Sequence, residues 1–77
     1  MVSSIGSTIY IGELARGVNQ DDLEYEFKRF GKIRDFSFKV RYAFIEYDDR
    51  ADAERAVEKM DRFRLNGQKI TCEFASK

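Results

Sequence analysis

The chain contains no histidine and a single cysteine, Cys72. One thiol cannot close an intramolecular disulfide, and without imidazoles or further thiolates a zinc site has no ligand set, so no metal or cofactor is expected. The missing histidine also removes the usual general base of a hydrolytic triad. No apolar run approaches membrane-spanning length, and the N-terminus lacks the basic-then-apolar order of a signal peptide. The reading is a soluble, intracellular chain with no membrane partner. Net charge is absent too, since 14 Lys and Arg balance 14 Asp and Glu. The chain therefore has no global basic excess of the kind that draws nucleic acid by charge alone. Internal repeats, low-complexity segments and linkers are missing as well.

What is present is one domain of 77 residues, enough for about two layers of secondary structure. Its most informative stretch is Val40 to Tyr47, Val-Arg-Tyr-Ala-Phe-Ile-Glu-Tyr. As a strand it turns Tyr42 and Phe44 to one face and Ala43, Ile45 and Tyr47 to the other. Bulk on both faces suits a strand in the middle of a sheet covered on both sides. So short a chain cannot build both covers, and an aromatic row is left exposed. Exposed rings on a small sheet form a stacking platform for planar ligands, single-stranded nucleic acid above all.

The rest of the chain is read in order. Residues 1–7 form a flexible leader. Thr8 to Leu14 alternates as a strand with Ile9 and Ile11 inward and Tyr10 on the opposite face, a third platform ring. Asn19 caps a helix, with Asp22 three residues on, and Leu23, Phe27 and Phe30 form its apolar stripe before Gly31 ends it. Ile33 to Lys39 is a second strand, followed by a connection so short that either a tight hairpin forms without glycine or the strand ends earlier. Asp48 and Asp49 cap a second helix through Met60, whose buried stripe is Ala53, Ala56, Val57 and Met60. Asn66-Gly67 marks a turn, and Gln68 to Ala75 is the fourth strand, with Ile70, Cys72 and Phe74 inward and Lys69, Thr71 and Glu73 outward. The order βαββαβ predicts an α+β, ferredoxin-like domain over residues 8–75: a four-stranded antiparallel sheet with both helices on one face. Acidic residues gather in the helices, whereas Arg34, Lys39, Arg41 and Lys69 fall in or beside strands, which predicts a locally positive sheet.

With those residues in place, the chain resembles an RNA recognition motif. Ile9-Tyr10-Ile11-Gly12-Glu13-Leu14 is similar to the family's hexamer signature, and Val40 to Tyr47 to its octamer. The spacing of Asp22-Leu23, Phe27, Phe30-Gly31, Ala53, Ala56-Val57, Asn66-Gly67 and Ile70 is similar as well. The run Ile33-Arg34-Asp35, the compact hairpin and Phe44-Ile45-Glu46-Tyr47 with Asp48 and Ala51-Asp52-Ala53 look most like the first such domain of serine/arginine-rich splicing factors. The resemblance implies that Tyr10 stacks one base, Phe44 the next, and Tyr42 wedges against the sugars between them. Arg41 would contact phosphate, Lys39 and Lys69 backbone or base edges, and Thr71 and Glu73 base edges. Three positions depart from the pattern. Val40-Arg41 stands where a basic residue and a glycine open the octamer, Glu13 takes the place of an asparagine, and Asp61-Arg62 replaces an asparagine-glycine pair, straining that turn.

The expected function is a single-stranded RNA-binding module of a nuclear pre-mRNA splicing or processing factor, monomeric, with other RNA-processing proteins as further partners. Two alternatives compete with it. One is a protein-interaction member of the same fold that holds a tryptophan-bearing peptide on its helical face, using the acidic Asp21, Asp22, Glu24 and Glu26; Arg62-Phe63-Arg64-Leu65 lacks the spacing of the Arg-x-Phe segment this requires. The other is an acylphosphatase-like enzyme of the same strand order. Glu13 to Gly17 offers one arginine and one glycine but no phosphate cradle, so no enzyme is expected.

Overall fold

The computed structural model describes residues 7–75. Elements follow in the order β1 (Thr8–Gly12), α1 (Gln20–Phe27), a 3-10 turn (Lys28–Phe30), β2 (Ile33–Phe38), β3 (Ala43–Tyr47), α2 (Arg50–Met60), β4 (Arg64–Leu65), β5 (Gln68–Lys69) and β6 (Thr71–Phe74). The four-stranded sheet runs β2-β3-β1-β6 with every pairing antiparallel, which is the expected ferredoxin-like βαββαβ arrangement. The two strands bearing the signatures are its centre.

One face of the sheet is closed by the helices. Ile9, Ile11, Ala43, Ile45, Tyr47 and Cys72 meet Leu23 and Phe27 of α1 and Ala53, Ala56 and Met60 of α2 in a single core. Asn19 starts α1 with a capping box: its Oδ1 accepts from the Asp22 N–H at 2.9 Å, and Asp22 Oδ2 accepts from the Asn19 N–H at 3.2 Å. Tyr47 is fully buried and donates its hydroxyl to the Phe27 carbonyl at 2.7 Å, fixing α1 to β3. Burial drives that phenol well above the usual tyrosine range. Gly31 allows α2 to approach, because a β-carbon there would meet Asp52 Cβ at 2.7 Å. The Arg55 guanidinium completes this junction by donating to Asp52 and, at 3.0 Å, to the Phe30 carbonyl.

Several boundaries differ from those read in the sequence. β3 begins at Ala43 rather than Val40, and β2 ends at Phe38, because Lys39 to Tyr42 form a tight hairpin in which the Lys39 N–H donates to the Tyr42 carbonyl at 2.8 Å. The segment from Gln68 to Ala75 is not one strand. Asn66 and Gly67 both take positive φ, 53° and 84°, the backbone of a two-residue hairpin turn. That turn pairs β4 with β5 as a separate ribbon, and only from Thr71 does the chain join the sheet. Phe74, expected inward, is partly buried, with the Arg50 guanidinium 4.8 Å from its ring centroid. Asp49 occupies the N-cap of α2 without a side-chain hydrogen bond, and Asp48 pairs with Arg34 at 3.5 Å instead. Ser7, read as the end of the leader, is buried and its carbonyl accepts from the Tyr47 N–H at 2.9 Å; residues 1–6 of that leader lie outside the described residues.

Candidate nucleic-acid interface

On the sheet face away from the helices, β1 and β3 set Tyr10 directly opposite Phe44. Their ring centroids are 5.4 Å apart with planes inclined at 56°. Tyr42 closes the cluster from the hairpin, 6.0 Å from Tyr10 and 5.9 Å from Phe44, the latter edge to face. Such separations are those of mutually stabilising aromatic pairs. Tyr10 and Phe44 are half-buried and Tyr42 is 39% exposed, so the rings support one another and still offer surface to a ligand. Tyr42, expected within a strand from Val40 to Tyr47, precedes β3, yet its ring reaches the platform. The hairpin tip is held there by the Leu14 N–H, which donates to the Arg41 carbonyl at 3.2 Å.

Gly12 shapes the platform from below. A β-carbon at this position would lie 2.8 Å from Tyr10 Cε2 and from its hydroxyl, and 3.0 Å from Thr71 Oγ1. The Tyr10 ring therefore rests over the glycine. Immediately after it, Glu13 takes φ 60°, a left-handed conformation that asparagine tolerates better than glutamate. The Glu13 carbonyl accepts from Gln68 Nε2 at 2.8 Å, tying the β5 ribbon to the end of β1.

Of the other expected residues, Glu73 faces Tyr10 across the β1–β6 pairing and Thr71 faces Gly12, both exposed. Tyr10, Phe44, Glu73, Phe74 and Ala75 line a shallow recess of about 310 Å³ beside the rings. Lys39 and Arg41 are exposed at the hairpin tip, on either side of Val40, rather than on a strand face. Lys69 sits in β5, outside the four-stranded sheet, and is not brought into the ring cluster. Positive charge thus stands at the rim of the platform. The sheet itself is not positive: Asp35 pairs with Glu46 in register, Glu73 lies beside Tyr10, and Arg34 is engaged by Glu46 at 3.6 Å and by Asp48. Ala75, read from its place just past the fourth strand as part of the platform's rim, lines that recess, whereas Phe74 beside it and Ser37, which faces Phe44 from β2, were not assigned to the site. Alternation along the second strand places Ser37 on the face opposite Phe36 and Phe38, but its neighbour across the sheet depends on register. Ser76 and Lys77, past the fourth strand, lie outside the described residues.

Two of the residues read for a tryptophan-peptide site on the helical face have other roles. Asp22 is committed to the α1 capping box, and Phe63 packs against the core.

Residues 9–71 match the family model of the RNA recognition motif. The chain belongs to the RNA recognition motif family. The domain is 39% identical over 71 residues to serine-arginine protein 55 of Drosophila melanogaster, covering 92% of this chain and 19% of that protein. It is 36% identical over 70 residues to human serine/arginine-rich splicing factor 5, covering 91% of this chain and 26% of that protein. The domain thus spans between about a fifth and a quarter of the length of these relatives. Its fold superimposes on a chain of the Sxl-lethal protein/RNA complex with a TM-score of 0.87 at 15% identity, over 94% of this domain and 48% of that chain.

Proposed function

We propose that this domain binds single-stranded RNA by stacking successive bases on Tyr10 and Phe44, with Tyr42 packed against the sugar between them. The observation that carries the reading is the direct opposition of Tyr10 and Phe44 on the uncovered sheet face, joined by Tyr42 within 6.0 Å. Glu73 and Thr71 border the stacked bases and read their edges. Lys39 and Arg41 at the hairpin tip, with Lys69 on the β4–β5 ribbon, meet phosphates at the rim, away from the acidic groups of the sheet. Kinship with serine/arginine-rich splicing factors supports placing the domain in a nuclear pre-mRNA splicing or processing factor, as a binding module rather than an enzyme. Anisotropy of labelled, randomised RNA oligonucleotides tests this. Tyr10→Ala and Phe44→Ala should each cost about 1–3 kcal/mol of binding, the value of one stacked base. Undiminished affinity in both variants contradicts the platform.

A further inference from the structure

On the helical side of the sheet, α1 and the start of β2 enclose an open groove of about 600 Å³ whose walls include Glu24, Tyr25, Lys28, Arg29, Lys32 and Ile33. Tyr25 lies midway between the buried Leu23 and Phe27, so the α1 geometry turns it outward. It is 69% exposed, and it has no ring contact or hydrogen bond among the described residues. The other aromatic side chain of α1, Phe27, is buried in the core, so Tyr25 is the ring this helix leaves to solvent. The groove is also cationic. Arg29 reaches Glu26 at 3.7 Å and lies 5.4 Å from the Phe30 ring centroid, but Lys28 and Lys32 have no ion pair among the described residues.

We propose that this groove binds an acidic peptide segment of a partner protein, which packs an apolar side chain on Tyr25 and sets carboxylates against Lys28 and Lys32. Glu24 favours peptide over nucleic acid as the occupant. An RNA strand carries a charge at every nucleotide and brings phosphate against the Glu24 carboxylate in any direction it runs. A peptide can space its acidic residues to meet the two lysines and leave a neutral residue opposite Glu24. The groove and the aromatic rings lie on opposite faces of the sheet, so the two sites are independent and their tests are separable.

The test uses the 77-residue chain and a short labelled peptide of alternating glutamate and leucine with one tryptophan, read by anisotropy and by backbone amide shifts. The expected result is saturable binding with shifts centred on residues 24–33. Tyr25→Ala should weaken it about fivefold or more, in the way loss of an aromatic anchor does. Lys28→Glu combined with Lys32→Glu should weaken it about tenfold, two exposed charge pairs having been reversed. All three positions are at the surface, and an unchanged thermal melt establishes that the variants are folded. Phe44→Ala should leave peptide binding intact. The proposal is overturned by an absence of peptide binding or by insensitivity to the lysine reversals. It also fails if an RNA oligonucleotide moves residues 24–33 more than the peptide does, or if those shifts arise from protein concentration alone, which indicates a second copy in the groove.

Discussion

The Tyr10 ring lies against Gly12 so closely that a β-carbon on Gly12 would stand 2.8 Å from it. Glycine at this position therefore serves the side chain two residues earlier, and the hexamer's ring and its glycine form one device. Gly12→Ala should push the ring off the strand while leaving the core untouched, because the displaced group is the end of a side chain at the surface. The expected outcome is RNA affinity reduced toward that of Tyr10→Ala, about tenfold or more, with a thermal midpoint nearly unchanged. An equal loss of stability would show that the glycine serves the backbone instead.

Arg62 adopts φ 71° in the connector between α2 and β4, where its N–H donates to the Ile70 carbonyl at 2.8 Å. A left-handed arginine is strained, and glycine is not. Arg62→Gly should stabilise the domain by about 0.5–1 kcal/mol, after allowance for the extra freedom of glycine in the unfolded chain. Chemical denaturation reads this directly, and RNA binding should be unaffected. The neighbouring Asp61 should not be replaced at the same time, because its Oδ1 accepts from the Cys72 N–H at 3.0 Å.

Stability should fall in alkali for a reason that lies in the core. Burial, with a smaller contribution from Asp61, pushes the Cys72 thiol up to about 12 from 9.0, and burial raises Tyr47 as well. Both groups ionise more readily in the unfolded chain, so the folded state holds more protons and loses stability as pH rises. The contribution is intact below about pH 9 and erodes from there toward pH 12. Cys72→Ala should flatten the first part of that decline, as followed by denaturation at pH 8, 9 and 10. An unchanged slope would mean that the thiol is not the group responsible.

The acidic sheet and basic rim predict that RNA affinity depends weakly on salt. With up to three phosphate contacts, from Lys39, Arg41 and Lys69, the plot of log K against log salt should have a slope of about −2 or shallower. Each charge removed by mutation should make it shallower still. A much steeper slope would require cations other than these.

Strand alternation in Thr8 to Leu14 and Val40 to Tyr47 made the central strands legible, because each has an unambiguous buried set and leaves Tyr10, or Tyr42 and Phe44, on the other face. Asn19 with Asp22 marked the start of α1 for an equally local reason. The errors fell where two local preferences compete. Gln68 to Ala75 alternates like one strand, but the left-handed Asn66-Gly67 turn claims Gln68 and Lys69 for a ribbon of their own and carries Lys69 out of the sheet. Val40 and Arg41 looked like strand residues until the shortness of the hairpin took them for its turn. A locally positive sheet was inferred from the basic residues in or beside strands, but alternation also puts Asp35, Glu46 and Glu73 on the open face, while Lys39, Arg41 and Lys69 fall outside the four strands. Ring and acid placement both follow from strand parity, whereas the basic residues left the face because the strands end short of them.

The most direct test of the central claim is a titration of the domain with short randomised single-stranded RNAs, followed by backbone amide shifts in the native chain and in Phe44→Ala. Phe44 is at the surface of the open face, so its loss removes a ring and spares the core. The account predicts shifts concentrated on β1, β3 and β6 around Tyr10, Tyr42, Phe44 and Glu73, and their collapse in the variant. Shifts confined to the helices, or a response that survives the loss of Phe44, would contradict it.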